Sequence, residues 1–144
     1  MTNPIADTSA LVSLGISAGD VPDPLSHCLE RYAVFVPQRV IDDLREVSPY
    51  DDAHGRSAAA VLGATDKLTV QSVDLDTTFP LDDGENAAVT LANERDADPL
   101  LCDAFNQLGL IHALLADTRL VTTPTFLSVL VRTECLTPEE ARRL

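Results

Sequence analysis

Lysine is nearly absent from this chain. Its 144 residues include one, Lys67, and nine arginines, against 16 aspartates and seven glutamates, for a formal charge of −13. So little positive charge offers scant attraction to a polyanion. A Lys-poor, Asp-rich surface is also what adaptation to a very salty cytoplasm produces, because salt screens the mutual repulsion. The charge therefore speaks of habitat more than of partner. Long apolar runs are missing too. Nothing approaches about 18 consecutive apolar residues, and no basic–apolar–small pattern opens the sequence, which argues against a membrane span or secretion. Cys28, Cys102 and Cys135 make an odd number without metal-ligand spacing. That disfavours a disulfide framework or zinc site, and Cys28 and Cys102 read as small buried hydrophobes. There is no internal repeat, no Gly-x-Gly-x-x-Gly after the first strand candidate and no lysine-bearing phosphate loop, so a nucleotide cradle is disfavoured. His27, His54 and His112 are scattered without an acid–nucleophile pattern, which removes a histidine-based hydrolase.

What is present suits one domain over residues 1–144 with a real core, since 45% of the chain is hydrophobic. Short apolar strands alternate with helices. Ile5-Ala6 predicts a first strand, with Thr8-Ser9 capping the turn into Leu11-Val12-Leu14. Pro22-Asp23-Pro24 starts a helix through Tyr32. Ala33 to Val36 predicts a second strand, and Pro37 the first turn of a helix burying Val40, Ile41, Leu44 and Val47. Ser48-Pro49 stops it. Asp51-Asp52 lead a helix that Gly63 ends, Leu68 to Val73 predicts a third strand, and Asp82-Asp83-Gly84-Glu85 opens a helix to about Arg95. Pro99 to Cys102 and Arg119 to Thr122 predict the last strands, followed by helices over Phe105–Leu115 and Pro124–Arg132. Thr137-Pro138-Glu139-Glu140 opens a final short or truncated helix. The pattern predicts an α/β fold, a three-layer α/β/α sandwich around a mostly parallel five-stranded sheet.

Four carboxylates stand at the punctuation points of that pattern: Asp7, Asp43, Glu85 and Asp103. Ligands of open α/β sheets bind outside the carboxyl ends of the strands, where such acids converge. Converging acids repel unless a hard cation neutralises them, and Mg²⁺ or Mn²⁺ is the usual one. That points to metal-assisted phosphodiester chemistry. Asp7 also reads as a simple cap, Glu85 as a first-turn acid favouring the helix dipole, and the Asp43 helix as a solvated face on which composition does not choose among Asp42, Asp43 and Glu46. Asp103 is the most persuasive, because Leu100-Leu101-Cys102 must carry it to the core's edge. Thr8 and Ser9 supply hydroxyls at the first strand end, and Asn106 is placed to face the same cleft.

These residues resemble the PIN-domain family, in its VapC-like toxin branch. The matching pieces are Asp7-Thr8-Ser9-Ala10-Leu11, the stretch Val36-Pro37-Gln38-Arg39-Val40-Ile41-Asp42-Asp43-Leu44, Gly84-Glu85-Asn86-Ala87-Ala88, and Leu100-Leu101-Cys102-Asp103, with Val121-Thr122-Thr123-Pro124-Thr125 near the end. The resemblance spans roughly residues 4–132. It implies a PIN-like fold and often a ribonuclease requiring Mg²⁺ or Mn²⁺. The family's acids fall on Asp7, Asp43, Glu85 and Asp103, of which Asp7, Glu85 and Asp103 would bind one ion while Asp43 acts directly or through water. Ala104 and Asn106-Gln107 replace a second acid and an arginine common in the family, and Asp43 replaces a commoner Glu.

The expected substrate is RNA, gripped by Arg39, Arg45 and Arg119. A degenerate interaction or RNA-processing module is the alternative. The resemblance also implies a small antitoxin partner whose arginine would enter the acids, and self-pairing as a homodimer. Leu11, Val12, Leu14, Leu25, Leu29 and Tyr32 supply more apolar surface than one thin layer obviously needs, with core packing as the plain reading. With the acidic surface, the whole suggests a cytoplasmic protein of a halophilic archaeon.

Overall fold

A computed structural model describes residues 4–16, 24–95, 99–103, 108–116 and 118–126. Five short strands, β1 (Ile5–Ala6), β2 (Phe35–Pro37), β3 (Thr69–Gln71), β4 (Leu100–Leu101) and β5 (Leu120–Val121), pair in the order β3-β2-β1-β4-β5. Every pairing is parallel. Ile5 sits opposite Phe35 on one side and Leu100 on the other. The connections are helical, as parallel neighbours demand: α1 (Thr8–Gly15), α2 (Pro24–Arg31), α3 (Gln38–Val47), α4 (Ala53–Gly63), α5 (Asp83–Arg95) and α6 (Leu108–Leu114), with a 3₁₀ turn at Thr65–Lys67.

Strand alternation divides the core in two. Ala6, Val36 and Leu101 point into one layer, where α1 to α4 supply Leu11, Leu14, Val40, Ile41, Leu44 and Val61. Their neighbours Ile5, Phe35 and Leu100 point into the other, against Val89 and Leu91 of α5 and Ile111 of α6. The three central strands β1, β2 and β4 are buried at every position, which explains their lack of polar alternation, whereas the edge strand β3 exposes Thr69. Leu11, Val12, Leu14 and Leu25 are all buried, with Leu29 and Tyr32 packed against them. Core packing accounts for that apolar set, and it does not supply the self-pairing face entertained from the sequence.

Several boundaries differ from the sequence expectation. Asp7, not Thr8 or Ser9, caps α1, its carboxylate accepting from the Ala10 N–H. Pro37 closes β2 and serves as N-cap of α3 in extended backbone, rather than opening the helix. Its missing N–H costs nothing at either place. The third, fourth and fifth strands are shorter than predicted, because pairing stops where the chain leaves the sheet for a turn. A helical turn begins at Thr123, its Phe126 N–H reaching the Thr122 carbonyl at 2.9 Å. Asn106, Ala104, Gln107, Cys135, the helix beyond Phe126 and the one from Pro138 lie outside the described residues, as does the side chain of His27.

Cys28 and Cys102 are buried in the core, as read, and the Ser9 hydroxyl lies 3.8 Å from Cys102 Sγ. Burial pushes the Cys28 thiol up to about 12, leaving it unreactive. Among the described residues, no helix is long and apolar enough to cross a membrane.

Candidate active site

The sheet order places a switch point between β1 and β4, from which the chain runs outward to both edges. The crevice above such a point is the usual ligand site of an open parallel sheet. Asp7 leaves β1 there and Asp103 follows β4 by two residues. Two helices complete the walls. On α3, burial of Val40, Ile41 and Leu44 against the core leaves Asp43 half-buried at the edge of the stripe, while Asp42 turns to solvent. At the start of α5, small buried residues Gly84, Ala87 and Ala88 let the helix lie close to the sheet and bring Glu85 over it. The result is a cleft of about 910 Å³ lined by Asp7, Thr8, Ser9, Arg39, Asp43, Gly84, Glu85 and Asp103. An apolar shoulder of Val12, Ile16 and Val47 continues it.

Hydrogen bonds fix most of the carboxylates. Asp7 is 3% exposed. Its Oδ1 accepts from the Ala10 N–H at 2.9 Å and from the Ser9 hydroxyl at 2.7 Å. Ser9 Oγ in turn accepts the Asp103 N–H at 2.9 Å, and Asp103 Oδ1 accepts the Thr123 N–H at 2.7 Å. Ser9 thus stitches the ends of β1 and β4 together, and the Asp103 carboxylate ties in the turn after β5. Asp43 is held at both oxygens: Thr8 donates its hydroxyl to Oδ2 at 3.2 Å, and Arg39 Nε stands 3.5 Å from Oδ1. The other end of that guanidinium is 3.3 Å from Asp83, so Arg39 bridges α3 and α5 across the mouth. Asp82 caps α5 through the Glu85 N–H at 2.8 Å.

Crowded negative charge and burial act together on the acids. Burial raises the Asp7 carboxyl above its usual range, against the lowering effect of Cys102, the Ala10 N–H and Ser9, with Asp103 adding repulsion. Burial also raises Asp43, partly offset by Thr8 and Arg39. Glu85 is pushed up to about 7, first by burial and then by the charges of Asp82 and Asp7. Elevated carboxyl groups in a cleft are a common mark of a functional site.

All four acids named from the sequence line this one cleft, with Thr8 and Ser9 beside them. Of the three arginines, Arg39 reaches it. Arg45 pairs with Asp42 at 3.8 Å on the outer face of α3, and the exposed Arg119 is not among the lining residues. Glu46, weighed beside Asp43 from the sequence because it lies one helical turn on, also lines the cleft, as do Asp82 and Asp83, which the sequence marks only as helix-opening acids, and His54, to which it assigns no role. For His54 the sequence holds no signal, since it arrives from α4, a different connection.

An all-oxygen, strongly anionic set suits a hard divalent cation rather than a soft one. Burial, then the charges of Asp82 and Asp7, raise Glu85, and a cation beside it would offset that cost. Among the described residues, no three Asp, Glu, His or Cys side chains already stand together as a ready-made cage. Holding an ion therefore asks for side-chain rotation, for which the half-buried Glu85 and Asp103 have room.

No protein-family model and no curated protein matches the sequence. The structure does match a solved one: a chain of the crystal structure of VapBC2 from Rickettsia felis bound to a DNA fragment from their promoter. The TM-score is 0.54 at 9% identity, covering 83% of this chain and 98% of the other. At that identity the likeness is one of fold, and the fold is the PIN-like α/β/α sandwich expected from the sequence.

Proposed function

We propose that this cleft is the centre of a divalent-metal-dependent endoribonuclease, and that the protein is the toxin of a toxin–antitoxin pair. The reading rests above all on the gathering of Asp7, Asp43, Glu85 and Asp103, from four separate elements, over the switch point of a PIN-like sheet. Asp7, Glu85 and Asp103 would hold Mg²⁺ or Mn²⁺, with Asp43 acting directly or through water. When bound, such an ion positions a water, lowers its pKa and stabilises charge developing on the phosphate.

The chain's own groups do the rest. Ser9 orients Asp7 through its hydroxyl and steadies Asp103 through that residue's N–H. Glu85, raised to about 7, would be held as the carboxylate by a cation bound beside it. Arg39 is the guanidinium at hand for an RNA phosphate, a geometry to which a planar fork is suited. Arg45 and Arg119 would touch RNA only beyond the cleft. The solved neighbour is a VapBC complex, which supports a small antitoxin as partner here, its arginine entering the acids; self-pairing belongs to the same reading. Cytoplasmic location and a halophilic source follow from the acidic composition as part of the proposal.

Incubating the protein with single-stranded RNA and Mn²⁺ or Mg²⁺ tests this directly: cleavage is expected with metal and none with chelator. The second reading is an inactive interaction or RNA-processing module. The engagement of both Asp43 oxygens by Thr8 and Arg39 favours it. Calorimetric titration of Mn²⁺ separates the two, since the enzyme should bind the ion and lose it in both Asp7→Asn and Asp103→Asn.

A further inference from the structure

Arg39 occupies an odd position for a residue meant to hold RNA. Its guanidinium is spent on protein carboxylates, Nε against Asp43 at 3.5 Å and Nη2 against Asp83 at 3.3 Å. The bridge joins one turn of α3 to the first residue of α5, the two helices that wall the cleft. With Thr8 on its other oxygen, each oxygen of Asp43 already has a protein partner. An ion arriving beside Asp7 and Glu85 therefore meets a fourth carboxylate already neutralised by a side chain of the same protein. The bridge is also weak by nature: Arg39 is 46% and Asp83 55% exposed, and such pairs break easily in water.

We propose that Arg39 is a displaceable internal latch, which competes with the divalent ion for Asp43 and turns to the RNA phosphate once that ion is seated. The proposal rests on the metal-dependent reading of the cleft and adds a regulation to it. Resting protein keeps Asp43 paired and binds metal less tightly than its acids alone would. Ion binding repels the guanidinium and releases it toward the incoming phosphodiester, whose negative charge replaces that of Asp43 and Asp83. Metal and RNA would then bind with mutual help, each removing a cost that the other would otherwise meet.

The test is Mn²⁺ calorimetry on the full chain without RNA, in low salt, comparing wild type, Arg39→Gln, Arg56→Gln and Asp7→Asn. Arg56, on α4, is paired with Asp51 just before that helix and does not line the cleft, so its substitution removes the same charge elsewhere. Arg39→Gln is expected to tighten Mn²⁺ binding by roughly three- to tenfold, the scale of losing one or two exposed ion pairs, with Arg56→Gln unchanged. In RNA cleavage, Arg39→Gln should raise KM more than it lowers kcat, and Arg39→Lys should restore part of the KM. Equal or weaker Mn²⁺ binding by Arg39→Gln, while Asp7→Asn has lost it, overturns the latch and leaves the metal site standing. Equal tightening in Arg56→Gln also overturns it, because the effect is then one of net charge. Wild-type binding that survives in Asp7→Asn, or is absent altogether, removes the metal site and the latch together.

Discussion

Gly84 and Asp43 are matched across the α3–α5 seam. A Cβ at position 84 would collide with Oδ2 of Asp43, the oxygen that accepts the Thr8 hydroxyl. The glycine therefore makes room for the half-buried carboxylate that enters the cleft.

Replacing Gly84 by Ala should push Asp43 off Thr8. Because the atom met is the end of a partly exposed side chain that can swing aside, the cost is at the low end for overpacking, about 1 kcal/mol, read as a lower denaturation midpoint. Adding Asp43→Ala to Gly84→Ala should recover most of that stability, without recovering RNA cleavage. Stability losses that simply add in the double variant would show the two sites to be uncoupled.

Glu85 gives the cleft a pH dependence of known sign. Its folded pKa of about 7 lies above the ordinary 4.5. The protonated form is thus favoured by the fold, and that contribution, full below pH 4.5, is lost as pH rises through about 7. Metal-free Glu85→Gln should be more stable than wild type at pH 8, by about 1 kcal/mol after discounting for solvent screening of a half-exposed group. At pH 4.5 the two should melt alike. Mn²⁺ affinity should rise between pH 6 and 8 with release of a proton, measurable by calorimetry in buffers of different ionisation enthalpy.

Ser9 is the hub between two strand ends. Ser9→Ala removes a donor to Asp7 and the acceptor of the Asp103 N–H, which should cost about 1–3 kcal/mol. Cleavage should fall more than stability explains, because both acids lose their orientation. Chemical denaturation and a cleavage assay on the same preparation check the pair of effects.

How much of this the sequence could tell depended on which links are local. Asp7 after Ile5-Ala6, Asp103 after Leu100-Leu101-Cys102 and Glu85 after a helix-opening glycine are each positions set by neighbours in the chain, and periodicity located them. The strand order was not local, yet parallel pairing leaves few alternatives, so the sandwich was legible as well. Pairings across elements were not. Nothing in the stretch around Arg39 indicates that it spends its charge on Asp83, and nothing around His54 announces that α4 brings it to the cleft. The apolar set at Leu11, Val12 and Leu14 left core packing and self-pairing both open for the same reason, since the surfaces of α3 and α4 that bury it are distant in sequence.

High salt should be tolerated, and the cleft explains why. At neutral pH its acids repel an approaching phosphodiester, while Arg39 is tied to two of them. Screening to about 3 Å at molar salt weakens that repulsion more than it weakens contacts at atomic distance. RNA cleavage should persist at molar KCl. Loss of activity on that change, with the circular dichroism spectrum unaltered, would contradict the account of substrate approach.

The most direct measurement is RNA cleavage by Asp7→Asn, purified free of contaminating nuclease and compared with wild type in Mn²⁺. Asparagine keeps the acceptor oxygen that caps α1 and receives the Ser9 hydroxyl, while removing a charge whose burial already raises its pKa. The variant should therefore fold as well as wild type or better, and cleave at least about a hundredfold more slowly. Undiminished cleavage by the folded variant would contradict the assignment of this cleft as the site of hydrolysis.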